Sequence, residues 1–274
     1  MAEKMAGKLL VVAALLGSLA LPAHAKDTVR NPLTDSEMWD ILRENVVGDA
    51  AIADGSAIFT VDAPYRANDA ATVSVRIEQT DPDAVIRAAT LVIDENPAPV
   101  AAELTFSQAM APLDFEMRVR VDRYSNVRVI AETGGGLSMA GRFVKASGGC
   151  AAPASRDPEV ALASMGEMKI RNFPKDTQMS TLRREAQIMI RHPNYSGLQR
   201  DQVTHLFISA HFIDHMEVWQ GEDLLFTMAG GISVSENPVF RFSYSDNGAS
   251  ALRVTATDTE GNTFERVLPK AADS

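Results

Sequence analysis

The 274-residue chain is 46% hydrophobic, 23% charged and only 6% aromatic, with a formal charge of −10 and a single cysteine. It is too apolar for a disordered tail and too long for a disulfide-stapled miniprotein. One cysteine forms no internal disulfide and no cysteine-rich zinc site, and an acidic chain is poorly matched to nucleic-acid phosphates or an anionic membrane.

The chain opens with Lys4 and Lys8, an apolar run from Leu9 to Leu21, and the small-residue site Ala23-His24-Ala25. This order predicts a secretory signal peptide over residues 1–25. No later stretch is long and apolar enough to span a bilayer, so the expected product is exported, free of the membrane, into a compartment where thiols tend to be oxidised.

Residues 26–146 form the first half. Thr34-Asp-Ser-Glu37 has the spacing of a capping box. It predicts a short helix that presents Met38, Ile41 and Leu42 on one face and stops at Gly48. The period then switches to two. Val73, Val75 and Ile77 alternate with polar residues, and Met117, Val119 and Val121 alternate with Glu116, Arg118 and Arg120. Asp122 to Asn126 is a turn, after which Val127 and Val129 resume the pattern. Asp94-Glu95 reads as a solvated strand end, and Gly134-Gly-Gly136 as a turn.

At Ser147-Gly-Gly-Cys-Ala-Ala-Pro-Ala-Ser-Arg-Asp-Pro158 the apolar periodicity ends. Residues 147–159 are predicted to be an exposed, flexible linker. Gly148 and Gly149 supply arm flexibility ahead of Cys150, and Ala151 and Ala152 keep the other side slim. No histidine or second cysteine lies nearby in sequence to serve as base or resolving thiol.

The second half, residues 160–274, repeats the strand habit with Leu182, Ala186, Ile188 and Ile190, with Phe240, Phe242 and Tyr244, and with Leu252, Val254 and Ala256. Gly230-Gly231 is a turn. His205, His211 and His215 suggest a metal, but on a regular strand the last two lie about 13 Å apart, too far to share an ion. They are expected to be structural or surface residues, with no metal bound. The fold class is therefore all-β, two antiparallel sandwiches with a short N-terminal helix in the first.

Arg142-Phe-Val-Lys-Ala-Ser-Gly-Gly-Cys150 resembles the strand and Gly-Gly-Cys arm that end the SoxY subunit of the sulfur-oxidation carrier. Trp39, Leu91 to Pro99 and Glu116 to Arg120 fit the same family. His192-Pro-Asn-Tyr-Ser-Gly-Leu198, His211-Phe-Ile213, Gly221, Val234-Ser-Glu-Asn-Pro238 and Phe240 are similar to its partner subunit SoxZ. The resemblance implies a fused SoxYZ-type protein of two immunoglobulin-like sandwiches packed together, a carrier and not an enzyme. It implies that Cys150 holds sulfur compounds of thiosulfate or sulfane type covalently, with no other cofactor. It further implies presentation of that cargo to periplasmic c-type cytochromes and sulfur-oxidation enzymes. Fused forms are associated with quinoprotein (PQQ-dependent) dehydrogenase systems in methylotrophs. The alternative reading is thus a non-covalent accessory of such an alcohol dehydrogenase. One departure is that the chain continues past Cys150, so the thiol sits in a loop tethered at both ends.

Overall fold

The structure is a computed structural model and describes residues 31–154, 158–173 and 183–270. The leader assigned to residues 1–25, and Leu182, lie outside these. No helix among the described residues is long and apolar enough to cross a membrane.

The first half runs α1 (Glu37–Val47), β1 (Ile52–Asp54), β2 (Phe59–Asp62), β3 (Val73–Gln79), β4 (Ala88–Ile93), β5 (Val100–Phe106), β6 (Asp114–Val119), β7 (Ser125–Thr133) and β8 (Gly136–Val144). The second continues with α2 (Pro158–Ala163), β9 (Met168–Phe173), β10 (Arg183–Ile190), β11 (Ile213–Gln220), β12 (Asp223–Gly230), β13 (Val239–Ser245), β14 (Ala251–Asp258) and β15 (Thr263–Pro269). The all-β class expected from alternation is what the chain adopts. Val73, Val75 and Ile77, Ala186, Ile188 and Ile190, and Leu252, Val254 and Ala256 all turn inward and are buried.

The helix forms as expected but two details differ. Its cap is Ser36, whose hydroxyl accepts from the Trp39 N–H at 3.1 Å, whereas Thr34 is drawn away to the Asn126 side chain. The buried face is centred on Trp39, with Leu42 and Val46 beside it, and Ile41 points to solvent. Packing of the indole against Val92 and Ile130 selects that face. Gly48 ends the helix, its N–H returning to Glu44 O at 2.8 Å.

The two halves are not joined by a linker alone; they share both sheets. One sheet has nine strands in the order β1-β8-β7-β4-β5-β12-β11-β14-β15, and the other six in the order β2-β3-β6-β13-β10-β9. The seams are β5 with β12 (Thr105 opposite Thr227, Leu104 opposite Met228) and β6 with β13 (Met117 opposite Phe240, Phe115 opposite Phe242). Each half would otherwise expose two strand edges, whose unpaired N–H and C=O groups invite pairing. Between the sheets, Phe115 packs edge-on against Phe106 at 5.4 Å and Phe226 at 5.1 Å, and Phe226 continues to Phe242 at 5.0 Å. One hydrophobic core therefore crosses the seam.

Asp94, expected in solvent, is buried at the end of β4. Its carboxylate accepts from Nε and Nη2 of buried Arg128, and the guanidinium stacks on Trp39 at 4.6 Å. The neighbouring charge on β7 draws the acid inward, because a buried cation needs a paired anion.

Candidate functional site

The linker carrying the only cysteine does not stand away from the body. Beyond β8 the backbone turns along the junction of the two halves, and its first residues dock. The Gly148 N–H donates to Asp122 O at 2.7 Å, the Gly149 N–H to Val121 O at 3.1 Å, and the Cys150 N–H to Asp122 Oδ1 at 3.3 Å. Cys150 is completely buried. At Gly149 and Cys150 this corrects the exposure expected of the linker from composition, whereas Ser147, Gly148, Ala151 and Pro153 are exposed as expected. The arm's amides find acceptors in the turn after β6, and satisfied backbone can be buried where unsatisfied backbone cannot.

The two glycines serve different ends. Gly148 has φ +77°, a left-handed conformation that disfavours side chains, with open space around it. Gly149 is held by close approach: a Cβ there would lie 2.1 Å from Ala70 O and 2.6 Å from Val121 O. Composition alone does not separate these two uses.

The second half closes over the arm. Ser196 Oγ donates to Cys150 O, and Gln199 Nε2 to Ala152 O at 2.9 Å. From beneath, Arg120 Nη1 donates to Gly149 O at 3.3 Å and Nη2 to Asn194 O at 3.2 Å. The alternation of β6 placed Arg120 on a polar face. It lies one residue past the strand and is buried, 1% exposed. Asn96 holds that corner, donating to Arg120 O at 2.8 Å and accepting from the Asp122 N–H at 2.8 Å. Burial, together with the Asp122 carboxylate, pushes the Cys150 thiol up to about 12, against a smaller opposing pull from Arg120. Docked, the sulfur is a protonated thiol, and the thiol form is a poor nucleophile.

A second cluster supports the covering loop. His192 and His211, a T-shaped ring pair 4.9 Å apart, both reach Asp258 Oδ2, at 3.3 and 2.8 Å. Asp258 Oδ1 also accepts the Asn262 N–H at 2.9 Å and the Glu260 N–H at 3.0 Å. The candidate ligand atoms of His192, His211 and Asp258 all lie within 4.8 Å of one another, spacing that suits a metal. The His192 tautomer favours a different use. Its Nδ1 accepts the Asn194 N–H at 3.0 Å, which assigns the ring proton to Nε2, facing Asp258. A nitrogen that carries a proton offers no lone pair to an ion. The cluster is a latch, and it continues from Asp258 through His192 and Asn194 to Arg120 and Gly149.

Of the three histidines singled out from sequence, only His211 joins this latch, and His192 and Asp258 complete it. His215 is exposed beside Glu217, and His205 sits in a loop. Spacing along the chain gave no sign that Asp258, 47 residues beyond His211, is its partner.

Burial is the main cause of the lowered His192 pKa, the Asp258 hydrogen bond opposing it. A base whose folded pKa is depressed binds more protons when unfolded. Its contribution is complete above about 6.5 and is lost as pH falls through that value toward the folded pKa. Asp258, also held below its ordinary range, stays ionised throughout that window. Replacing His192 by Gln should remove up to about 1.4 kcal/mol per pH unit from the slope of stability between pH 7 and 5. Thermal melts across that range read it, and parallel wild-type and variant curves would contradict it.

Fold and site together define a class: an all-β protein of two sheet-sharing halves, with one thiol on a backbone arm docked at their junction. The first half matches the family model described as "Sulfur oxidation protein SoxY" over residues 43–150, a match that ends on Cys150. The second matches "Sulphur oxidation protein SoxZ" over residues 170–269. The chain therefore carries a SoxY-family and a SoxZ-family domain in tandem, a fused SoxYZ-type protein. The chain is similar to a solved structure, the sulfur carrier protein SoxY from Chlorobium limicola f thiosulfatophilum. Identity is 25% over 40% of this chain and 97% of that one, with a TM-score of 0.34. No curated protein matches the chain.

Proposed function

We propose that the protein is a periplasmic covalent carrier that holds sulfur compounds of thiosulfate or sulfane type on Cys150. The observation that carries this reading is the docked arm. The thiol lies at the last residue of the SoxY match, and it is held through backbone hydrogen bonds, including those of Gly148, Gly149 and the Cys150 N–H. Such bonds break and reform without altering the sulfur. Docked, the sulfur is protonated and covered; released, it returns toward the ordinary thiol range near 8.5 and forms thiolate far more readily. This suits a group that reacts inside partner enzymes and is protected between them.

Loading thiosulfate joins its terminal sulfur to Cys150 Sγ, the cysteine S–H bond being lost. The step releases one proton to solvent and two electrons, which are taken one at a time by the haems of c-type cytochrome partners.

Replacing Cys150 by Ser in the producing organism tests the reading. Oxidation of the sulfur substrate should be lost entirely, with protein level and fold retained. A non-covalent accessory of a quinoprotein dehydrogenase would keep full activity with serine, and that result would overturn the carrier reading.

A further inference from the structure

Arg120 presents a charge that the docked arm does not balance. The side chain is 1% exposed. Its Nη1 and Nη2 reach only the backbone carbonyls of Gly149 and Asn194, and its buried Nε has no partner among the described residues. No carboxylate forms an ion pair with it among those residues. The acidic groups that act on it, Glu236 and Asp69, do so at longer range, and Asp69 is occupied in capping Ala71 and Thr72. Burial of an uncompensated cation is costly. The contrast is Arg128, equally enclosed but met by Asp94 at 2.8 Å. With the neutral thiol docked beside it, Arg120 lacks a counter-charge.

We propose that Arg120 is the binding site for an anionic group carried on Cys150, the sulfonate end of a thiosulfate-type adduct. The unpaired Nε–H and the guanidinium fork offer the planar donor array that suits an oxyanion. The fork already touches the carbonyl of the residue before Cys150, and the cation and the sulfur act on each other electrostatically. Asp122, which accepts the Cys150 N–H, opposes an anion at the sulfur and acts there more strongly than Arg120. The sulfonate of an adduct lies beyond Sγ, where the buried guanidinium with its unpartnered Nε is the group that can meet it. The proposal rests on the carrier reading and deepens it. The arm redocks more firmly when loaded with an anion than when bare, so a charged cargo is sheltered in transit and a neutral one is not.

The test loads purified protein chemically, without partner enzymes. With tetrathionate, the Cys150 thiolate attacks a central sulfur, a new S–S bond forms, thiosulfate leaves, and the thiol proton goes to solvent. With methyl methanethiosulfonate, the same thiolate gains a neutral methylthio group and methanesulfinate leaves. The anionic adduct should melt higher than the neutral one, and docking should slow its release by a small phosphine at least tenfold more than it slows the neutral one. Each rate is taken relative to the same adduct on a short peptide carrying Cys150. Arg120→Gln should abolish the melting difference and the excess slowing, and Arg120→Lys should restore part of them. Equal melting and equal slowing of the two adducts in the wild type would overturn the proposal, as would an excess slowing that survives in Arg120→Gln. Should Arg120→Gln fail to fold, the wild-type pair of adducts decides alone. Because loading is chemical, this result is separate from whether the organism loads Cys150. A charge-selective dock on a protein that is fully active as Cys150→Ser would remove the carrier reading and leave the site.

Discussion

Replacing Gly149 by Ala should increase the reaction rate of Cys150 with a chromogenic disulfide reagent by roughly tenfold to a hundredfold. The substitution adds one carbon, and that carbon has nowhere to go. Its ideal position is 2.1 Å from Ala70 O and 2.6 Å from Val121 O, both backbone atoms. Ala70 O is itself committed, accepting the Val121 N–H at 2.8 Å, so the arm yields before the body does. Overpacking of this kind costs about 1–3 kcal/mol, and each 1.4 kcal/mol is a factor of ten in the open fraction. Only the open arm reacts, because docking keeps the thiol covered and protonated. Gly148→Ala is the comparison. It carries the cost of a left-handed backbone but meets nothing within 4 Å, so its effect should be smaller. Equal rates for the wild type and both variants would show that the thiol is already free.

Asp258→Ala should be the most destabilising single change at the latch. It strips two buried imidazoles and the amides of Glu260 and Asn262 of their acceptor, and opens the turn after β14. Leaving a buried donor without its acceptor costs about 1–3 kcal/mol, and with several donors orphaned at once the loss is about 3–5 kcal/mol. For a protein of this size that is a fall of roughly 10 °C or more in melting temperature. The damage should reach the arm, because His192 sets Asn194, and Asn194 receives Arg120. Cys150 in the variant should therefore react faster than in the wild type at temperatures where both remain folded. A melting temperature within a degree or two of wild type would mean that the latch is not what holds this loop.

Much of the fold was legible because burial follows local alternation. Val73, Val75 and Ile77, and Leu252, Val254 and Ala256, declare their inward faces without reference to any partner strand. The seams were not legible. Nothing in the pattern of β5 or β12 distinguishes an edge that meets solvent from one that meets the other half. The site was legible in part. Cys150 stands out by its uniqueness and its Gly-Gly setting, but composition does not reveal its burial. Glycine allows both freedom and close approach, and at Gly149 the second prevails. Arg120 and Asp94 were misplaced for a common reason: a charge in an alternating or turn-like stretch reads as solvated until a long-range neighbour is known. Asp94 has that neighbour in Arg128, whereas Arg120 awaits one.

The most direct measurement of the central claim is the mass of the Cys150 peptide, released without reductant from protein recovered from its native source during growth on a reduced sulfur compound. The account predicts a population carrying sulfur or thiosulfate-type additions on Cys150 that disappear on reduction. A Cys150 that is bare under every such growth condition would contradict it.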